Sequence, residues 1–221
     1  MKQGDPPSPD IFDSTINPAH KMIRDSGRGC SLPVLSQPSG ASGFVDDTSL
    51  HTDGPDAIPA MREMVERTSR FCRWVGIAVN MTKSCISAID FNTGRQVSTD
   101  SITLDGCPFP AIPPHCAHKH LGVYITLTGD FRAEKDHVLE EMKLRLKALQ
   151  EEKVLSPSQT ELVINIGVVS VFRYSAGLVP WTLSEIDKIT QMWTRGYKRA
   201  WRLPPSLDSS VMLLSLQDRG R

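Results

Sequence analysis

Hydrophobic residues recur every three or four positions in several stretches of the chain, which is the spacing of one buried face of an α-helix. The clearest case covers residues 56–75, with Gly76 as a natural stop. From residue 130 onwards the pattern is helical again, and one stripe consists of Val138, Met142, Leu146 and Leu149. A capping box opens an apolar run that continues to Phe172, and a last helix is predicted after Ser184.

The first half of the chain contains shorter segments with β propensity. Residues 44–45 and 48–50 flank two aspartates and predict a hairpin, and strands are predicted at 77–79, 85–89 and 121–127. A short helix is predicted from Pro9, with apolar positions up to Ile23. The sequence therefore predicts an α+β fold, with a mixed region over 1–128 and a helical region over 129–221.

Composition excludes several classes of protein. Of the 221 residues, 39% are hydrophobic and 23% charged, which is ordinary for a globular chain. Basic and acidic residues number 25 each, so a nucleic-acid or membrane partner would need a local patch. No run of 18 apolar residues occurs, and we expect no membrane partner.

The five cysteines are scattered, odd in number and form no Cys-x-x-Cys pair. Without a signal-like N-terminus, this usage predicts reduced thiols and an intracellular protein of the nucleus or cytoplasm. Cysteines and histidines cluster between Cys107 and His120, but their spacing matches no usual zinc site. We therefore favour a loop with incidental histidines over a metal centre.

The strongest chemical feature is the adjacent carboxylate pair of Asp46 and Asp47 on the predicted hairpin. Mg²⁺ is bound in proteins by one or two carboxylates together with substrate phosphates, so a tight pair of this kind suits that ion. Taken alone, the pair is also typical of a solvated turn.

The order of several motifs resembles that of reverse transcriptases of the non-LTR retrotransposon type. Residues 2–9 resemble motif B, and Phe-Val-Asp-Asp at 44–47 resembles motif C, which carries paired catalytic aspartates. Residues 74–84 resemble motif D, and 119–123 resemble motif E, the primer grip. The helical remainder is similar to the thumb, so the resemblance implies a partial palm over 1–128 and a thumb-like region over 129–221.

This resemblance implies a role for each matching residue. Asp46 and Asp47 would be the catalytic and metal-binding carboxylates, and Lys83 would lie near the incoming triphosphate. Gln3 and Gly4 would line the nucleotide and template pocket, and Leu121 with Gly122 would shape the primer grip. The plain alternatives are a Pro-rich terminus for Gln3 and Gly4, a solvated Lys83, and the start of a strand at Leu121.

Basic residues are concentrated on the last predicted helix. Arg195, Lys198, Arg199 and Arg202 lie within eight residues, interleaved with Trp193, Tyr197 and Trp201. Such a face suits a nucleic-acid backbone with aromatic stacking. An amphipathic helix with its aromatics in the core explains the pattern equally well.

The implied activity is RNA-directed DNA synthesis with Mg²⁺ or Mn²⁺, and the implied partners are an RNA template, a DNA primer and deoxynucleoside triphosphates. The family also uses an aspartate of motif A, and no segment of this chain matches motif A or the fingers. We therefore expect weak metal binding and no polymerisation by this chain alone. Two alternatives are a non-catalytic nucleic-acid-binding remnant and a fragment without a selected role.

Overall fold

The fold is α+β, as the sequence predicts. A computed structural model describes residues 8–31, 38–44, 46–151 and 155–207. The helices are α1 (Ser8–Asp25), α2 (Ala57–Val75), α3 (Arg132–Glu151), α4 (Pro157–Val163), α5 (Val169–Ser175) and α6 (Leu183–Ala200). The strands form antiparallel pairs, which are β1 (Ala41–Phe44) with β2 (Asp47–Leu50), β3 (Ile89–Asp90) with β4 (Arg95–Gln96), β5 (Thr103–Leu104) with β6 (Cys107–Pro108), and β7 (His118–His120) with β8 (Val123–Ile125).

The chain divides into two compact units, Met1–Cys116 and Ala117–Arg221. The sequence places its change of character near residue 128, whereas the structural division precedes the β7–β8 hairpin. This hairpin therefore belongs to the same unit as the helices that follow it. The assignment of the two regions to a palm and a thumb stays a prediction.

In the first unit, α1 packs against α2 and against β1. The helix α1 is longer than predicted, and its buried side consists of Ile16, Ala19, His20 and Ile23. The helix α2 agrees with its predicted span to one residue. It ends because Gly76 takes a left-handed φ of 75° and donates its N–H to the Cys72 and Arg73 carbonyls.

Of two predicted strands of this unit, one is wrong and the other forms only in part. Residues 77–79 lie in no strand, because the polar groups that follow them close a tight turn. The Asn80 side-chain oxygen accepts hydrogen bonds from the backbone and hydroxyl of Thr82, and its carbonyl accepts from the Ser84 N–H at 3.0 Å. Of the predicted strand 85–89, only a bridge at Ile86 and the two-residue β3 form.

The second unit is built around α3. The stripe predicted from the sequence is buried, and Val138, Met142 and Leu146 form one cluster with Val168 and Ile189. A second cluster joins Leu149, Ile164 and Tyr197, with Trp193 and Trp201 packed against it. The helices α3 and α6 come close at Gly196, where a Cβ atom would lie 2.6 Å from Leu146 Cδ2.

A π-helical turn over Ile164–Val168 joins α4 to α5 and makes them one continuous helix. The predicted capping box starts this helix, since the Ser156 hydroxyl accepts from the Gln159 N–H and the Gln159 side chain accepts from the Ser156 N–H. At the π turn, Arg145 Nη1 of α3 donates to the Gly167 carbonyl at 2.5 Å. The wider turn therefore has a partner on the neighbouring helix for one of its carbonyls.

An ion pair connects the start of α6 to α3. Lys135 Nζ lies 2.8 Å from Glu185 Oε2 and 3.0 Å from Oε1. The hydrogen bond from Lys135, followed by that from the Thr182 N–H, lowers the pKa of Glu185 from its ordinary 4.5 to about 2. Glu185 is also the reciprocal partner in the capping box of Thr182.

We expect Met142→Ala to destabilise the second unit by about 2–5 kcal/mol, because the side chain is 1% exposed and its removal leaves a cavity. The matched control is Leu144→Ala on the same helix, where the side chain is 61% exposed. Urea unfolding of both variants measures the difference. Equal losses in the two variants would contradict the packing of α3.

We expect the stability of the second unit to depend on pH through Glu185. Because folding lowers the pKa of this carboxyl, its contribution is complete above pH 4.5 and is lost as the pH falls towards 2. Glu185→Gln should remove this part of the acid dependence, whereas Asp187→Asn, at an exposed position of the same helix, should retain it. Thermal unfolding from pH 7 to pH 2 tests both variants.

Candidate functional site

The two aspartates lie at the tip of the β1–β2 hairpin, which confirms the predicted hairpin. Phe44 pairs with Asp47 in the antiparallel register, so the chain reverses direction between them. Asp46 lies in this turn and Asp47 is the first residue of β2, and both are exposed. The hairpin therefore presents two adjacent carboxylates to solvent, beside a Phe44 side chain that is 64% exposed.

His20 of α1 contacts both strands of this hairpin. Its Nε2 lies 3.3 Å from the Thr48 hydroxyl, and a Cβ atom at Gly43 would lie 2.2 Å from its Cε1. Only glycine at position 43 permits this approach. Burial, and then the Arg24 charge, lower the pKa of His20, while Asp13 acts in the opposite direction. A neutral imidazole at neutral pH suits the contact with Thr48.

Sequence reasoning did not single out His20, although its spacing carries a signal. It lies four residues after Ile16 and three before Ile23, on the buried side of α1. A histidine on an apolar helix face needs a polar partner within the fold. Thr48 is such a partner, 28 residues further along the chain.

Within the described part of the chain, no third metal ligand lies beside the aspartates. Within residues 8–31, 38–44, 46–151 and 155–207, no three His, Cys, Asp or Glu side chains are grouped closely enough to hold a metal ion. This covers the cluster between Cys107 and His120, and none of the five cysteines, all of them described, forms a disulfide. Two carboxylates alone leave most of an octahedral Mg²⁺ shell to water or phosphate.

The predicted nucleotide-binding residues are only partly described. Gln3 and Gly4 lie outside the described residues. Lys83 ends the turn over 81–83 and is exposed, with its backbone N–H 3.1 Å from the Asn80 carbonyl. Its role near a triphosphate stays a prediction.

The predicted primer-grip residues form the tip of the β7–β8 hairpin. Leu121 and Gly122 are its two loop residues, and both have positive φ, at 47° and 84°. Tyr174 of α5 donates its hydroxyl to the Leu121 carbonyl at 2.6 Å. The buried Glu134 of α3 accepts the Tyr124 N–H at 2.8 Å. Sequence analysis identified neither Tyr174 nor Glu134, because each acts on a distant residue.

The basic face of α6 is present in part. Arg195 and Arg199 lie one turn apart on this helix, and Arg202 follows in a left-handed conformation; all three are exposed. Lys198 is only 9% exposed, and its Nζ donates to the carbonyls of Pro205, at 3.2 Å, and Leu207. Lys198 therefore does not share the exposed face with the arginines.

The aromatic residues of α6 point to the core. Tyr197 is buried and stacks on Trp201, with ring centroids 5.2 Å apart, and Trp193 lies 5.8 Å from Tyr197. The placement of these rings therefore gives little support to stacking on nucleic-acid bases. Lys188 lies seven residues before Arg195 and is also exposed. Residues seven positions apart share one face of a helix, so Lys188 adds a cation to the face that carries Arg195.

No family model matches the chain. Over 200 residues it is 24% identical to the retrovirus-related Pol polyprotein from the type-1 retrotransposable element R2 of Popillia japonica. The match covers 88% of this chain and 32% of that protein, so the chain spans about a third of the length of the curated relative. The relationship to this non-LTR retrotransposon polyprotein is distant. Among the described helices, none is long and apolar enough to cross a membrane.

We expect the chain to bind Mg²⁺ or Mn²⁺ with a dissociation constant on the order of 1 mM or weaker, because two carboxylates leave most of the coordination shell to water. Isothermal calorimetry measures this, with Asp46→Ala as the test variant. Asp56→Ala is the control, at an exposed carboxylate that makes no cap hydrogen bond. Tight binding that disappears only in Asp46→Ala would mean that further ligands complete the site.

Proposed function

We propose that the chain is a reverse transcriptase segment of a non-LTR retrotransposon polyprotein, covering the C-terminal part of a palm and a thumb-like region. The observation that carries the proposal is the exposed hairpin tip with Asp46 and Asp47, in a chain with a distant relationship to such a polyprotein. Both carboxylates are open to a ligand from solvent, which supports the proposed assignment of this hairpin to motif C.

In the proposed reaction, the primer 3′-oxygen attacks the α-phosphorus of a deoxynucleoside triphosphate. A bond forms between the primer oxygen and the α-phosphorus, and the bond from that phosphorus to the oxygen that bridges to the β-phosphate breaks. Pyrophosphate leaves, and the proton of the primer hydroxyl passes to solvent. Asp46 would hold Mg²⁺ with Asp47 as its weaker partner, and bound metal ions stabilise charge on the transferring phosphate. Lys83 would stabilise the leaving pyrophosphate, and Gln3 with Gly4 would line the template and nucleotide pocket.

The chain should be inactive as an isolated polypeptide. Two-metal phosphoryl transfer needs carboxylates that hold ions roughly 3.5–4 Å apart. Among the described residues, no third metal-ligating side chain joins Asp46 and Asp47. Since the curated relative is about three times as long, a longer protein or a second segment would have to supply the missing ligand.

The primer–template would be bound through the exposed arginines of α6. Arg195 and Arg199 lie about 6 Å apart along the helix axis, since each residue adds roughly 1.5 Å. Arg202, which is exposed just after the end of the helix, would add a third cation to this contact. Lys198 is not part of the proposed contact, because two backbone carbonyls hold its ammonium.

A second candidate is a non-catalytic nucleic-acid-binding remnant. Two observations favour it. The exposed arginines lie within the second unit, whereas the aspartate pair has no third metal ligand among the described residues. The two candidates share nucleic-acid binding and differ in the need for Asp46 and Asp47. Primer extension by the chain combined with an upstream segment of a related polyprotein separates them, because only the first candidate predicts extension that Asp46→Asn abolishes.

We expect weak, sequence-independent binding of an RNA–DNA primer–template that decreases with salt. Each neutralised phosphate contributes a slope of roughly −0.7 to −0.9 in log K against log salt, so three arginines give about −2 to −3. Arg195→Ala with Arg199→Ala should reduce the slope to about −1. Fluorescence anisotropy at several salt concentrations measures it.

Two controls accompany this measurement. Arg70→Ala with Arg73→Ala removes two arginines of α2 that are paired with Glu66 and Asp105, and should leave the slope unchanged. Asp46→Asn should leave binding unchanged or strengthen it, because it removes a charge that repels phosphate. An Arg195/Arg199 variant that binds with the parent slope would overturn the role of α6.

A further inference from the structure

The tip of the β7–β8 hairpin has a backbone conformation that its sequence does not favour. Both loop residues have positive φ, as in the type I′ turns of tight hairpins. Gly122 adopts such a conformation freely, but Leu121, at φ 47°, has a Cβ atom that disfavours it. Asn-Gly is the usual pair at these positions, so something outside the loop must hold Leu121 in place.

Tyr174 makes the contacts that hold this loop. Its hydroxyl donates to the Leu121 carbonyl at 2.6 Å, and its ring covers the next residue. A Cβ atom at Gly122 would lie 3.1 Å from Tyr174 Cε1. The Tyr174 side chain is nevertheless 67% exposed, so its placement is not explained by burial in a core.

The base of the same hairpin is anchored separately. Glu134, which is 2% exposed, accepts the Tyr124 N–H, and the Tyr124 ring packs edge-on against His137 with centroids 5.1 Å apart. Lys119 Nζ lies 5.5 Å from the centroid of the same ring. Because the base of the hairpin is fixed on α3, the contact with α5 determines the conformation of its tip.

We propose that Tyr174 is a positioning residue, which holds the Leu121–Gly122 turn in the conformation that contacts the primer strand. This inference rests on the proposed function, because it assigns the turn to the primer. Strained backbone held by its surroundings is a recurrent property of binding sites. Without the phenol hydroxyl, the Leu121 carbonyl turns to water and leucine leaves the left-handed region, so the surface offered to the primer changes.

The test compares Tyr174→Phe with the parent chain. The ring stays and one hydrogen bond is lost, so binding of a primer–template should weaken roughly 3- to 10-fold. The salt slope should stay the same, because no cation is removed. Hydrogen exchange at Val123 and Tyr124 should show whether the loop, rather than the whole unit, has loosened.

The control is Ser170→Ala. It also removes a hydroxyl from α5, but this hydroxyl bonds within the helix, to the Ile166 carbonyl. A rescue variant adds Leu121→Asn to Tyr174→Phe and creates the Asn-Gly pair that favours this turn without help. If Tyr174 acts through the turn, the double variant should regain most of the lost affinity.

The outcomes separate the inference from the proposed function. If the parent binds the primer–template and Tyr174→Phe binds equally well, the inference fails and the proposed function stands. If Tyr174→Phe weakens binding and Leu121→Asn does not restore it, Tyr174 contacts nucleic acid itself and the positioning role is overturned. If the parent chain does not bind at all, the proposed function fails, and the inference fails with it.

Discussion

Burial of one apolar stripe on α3 is the constraint on which the second unit depends. Val138, Met142 and Leu146 fill a cluster with side chains of the π turn and α6, and this fixes the helix rotation. Once that rotation is set, the other sides of α3 have defined partners. Glu134 then reaches the Tyr124 N–H, Lys135 reaches Glu185, and Arg145 reaches the π turn.

The two units hold their candidate sites in different ways. In the first unit, the aspartate hairpin is a two-stranded ribbon, and isolated ribbons of this kind are only marginally stable in water. It depends on the approach of His20 to Gly43 and Thr48. In the second unit, the β7–β8 hairpin lies on helices with a well-packed core. Geometry at the aspartates is therefore more open to adjustment by a ligand than geometry at Leu121 and Gly122.

Local patterns predicted much of this fold. The span of α2, the buried stripe of α3 and the Ser156 capping box depend on residues within a few positions of one another, so the sequence contains them directly. The Phe44–Asp47 hairpin was also predictable, because turn residues separate β-prone segments. The strand predicted over 121–127 starts only at Val123, because Leu121 and Gly122 form the loop of the β7–β8 hairpin. The chemical roles of the motif residues came from the family resemblance and remain proposals.

Specific side-chain hydrogen bonds, which hydrophobic patterning does not encode, account for the rest. Residues 77–79 have β propensity, yet the side chain of Asn80 closes a turn instead. Lys198 appears on a basic face in the sequence, but the chain returns after the helix and places the carbonyls of Pro205 and Leu207 around its ammonium. Tyr174 and Leu121 are 53 positions apart, and no periodicity connects them.

The hydrogen bond between Tyr174 and Leu121 also depends on the number of residues in the π turn over Ile164–Val168. A π turn accommodates one additional residue, and each residue of an α-helix rotates the direction of the next by about 100°. Tyr174 therefore meets Leu121 only because this residue is present. Loss of a single codon within the π turn would give a more regular helix and rotate Tyr174 away from the hairpin. Evolution could thus disconnect the hairpin tip from α5 while every side chain of that contact stayed unchanged.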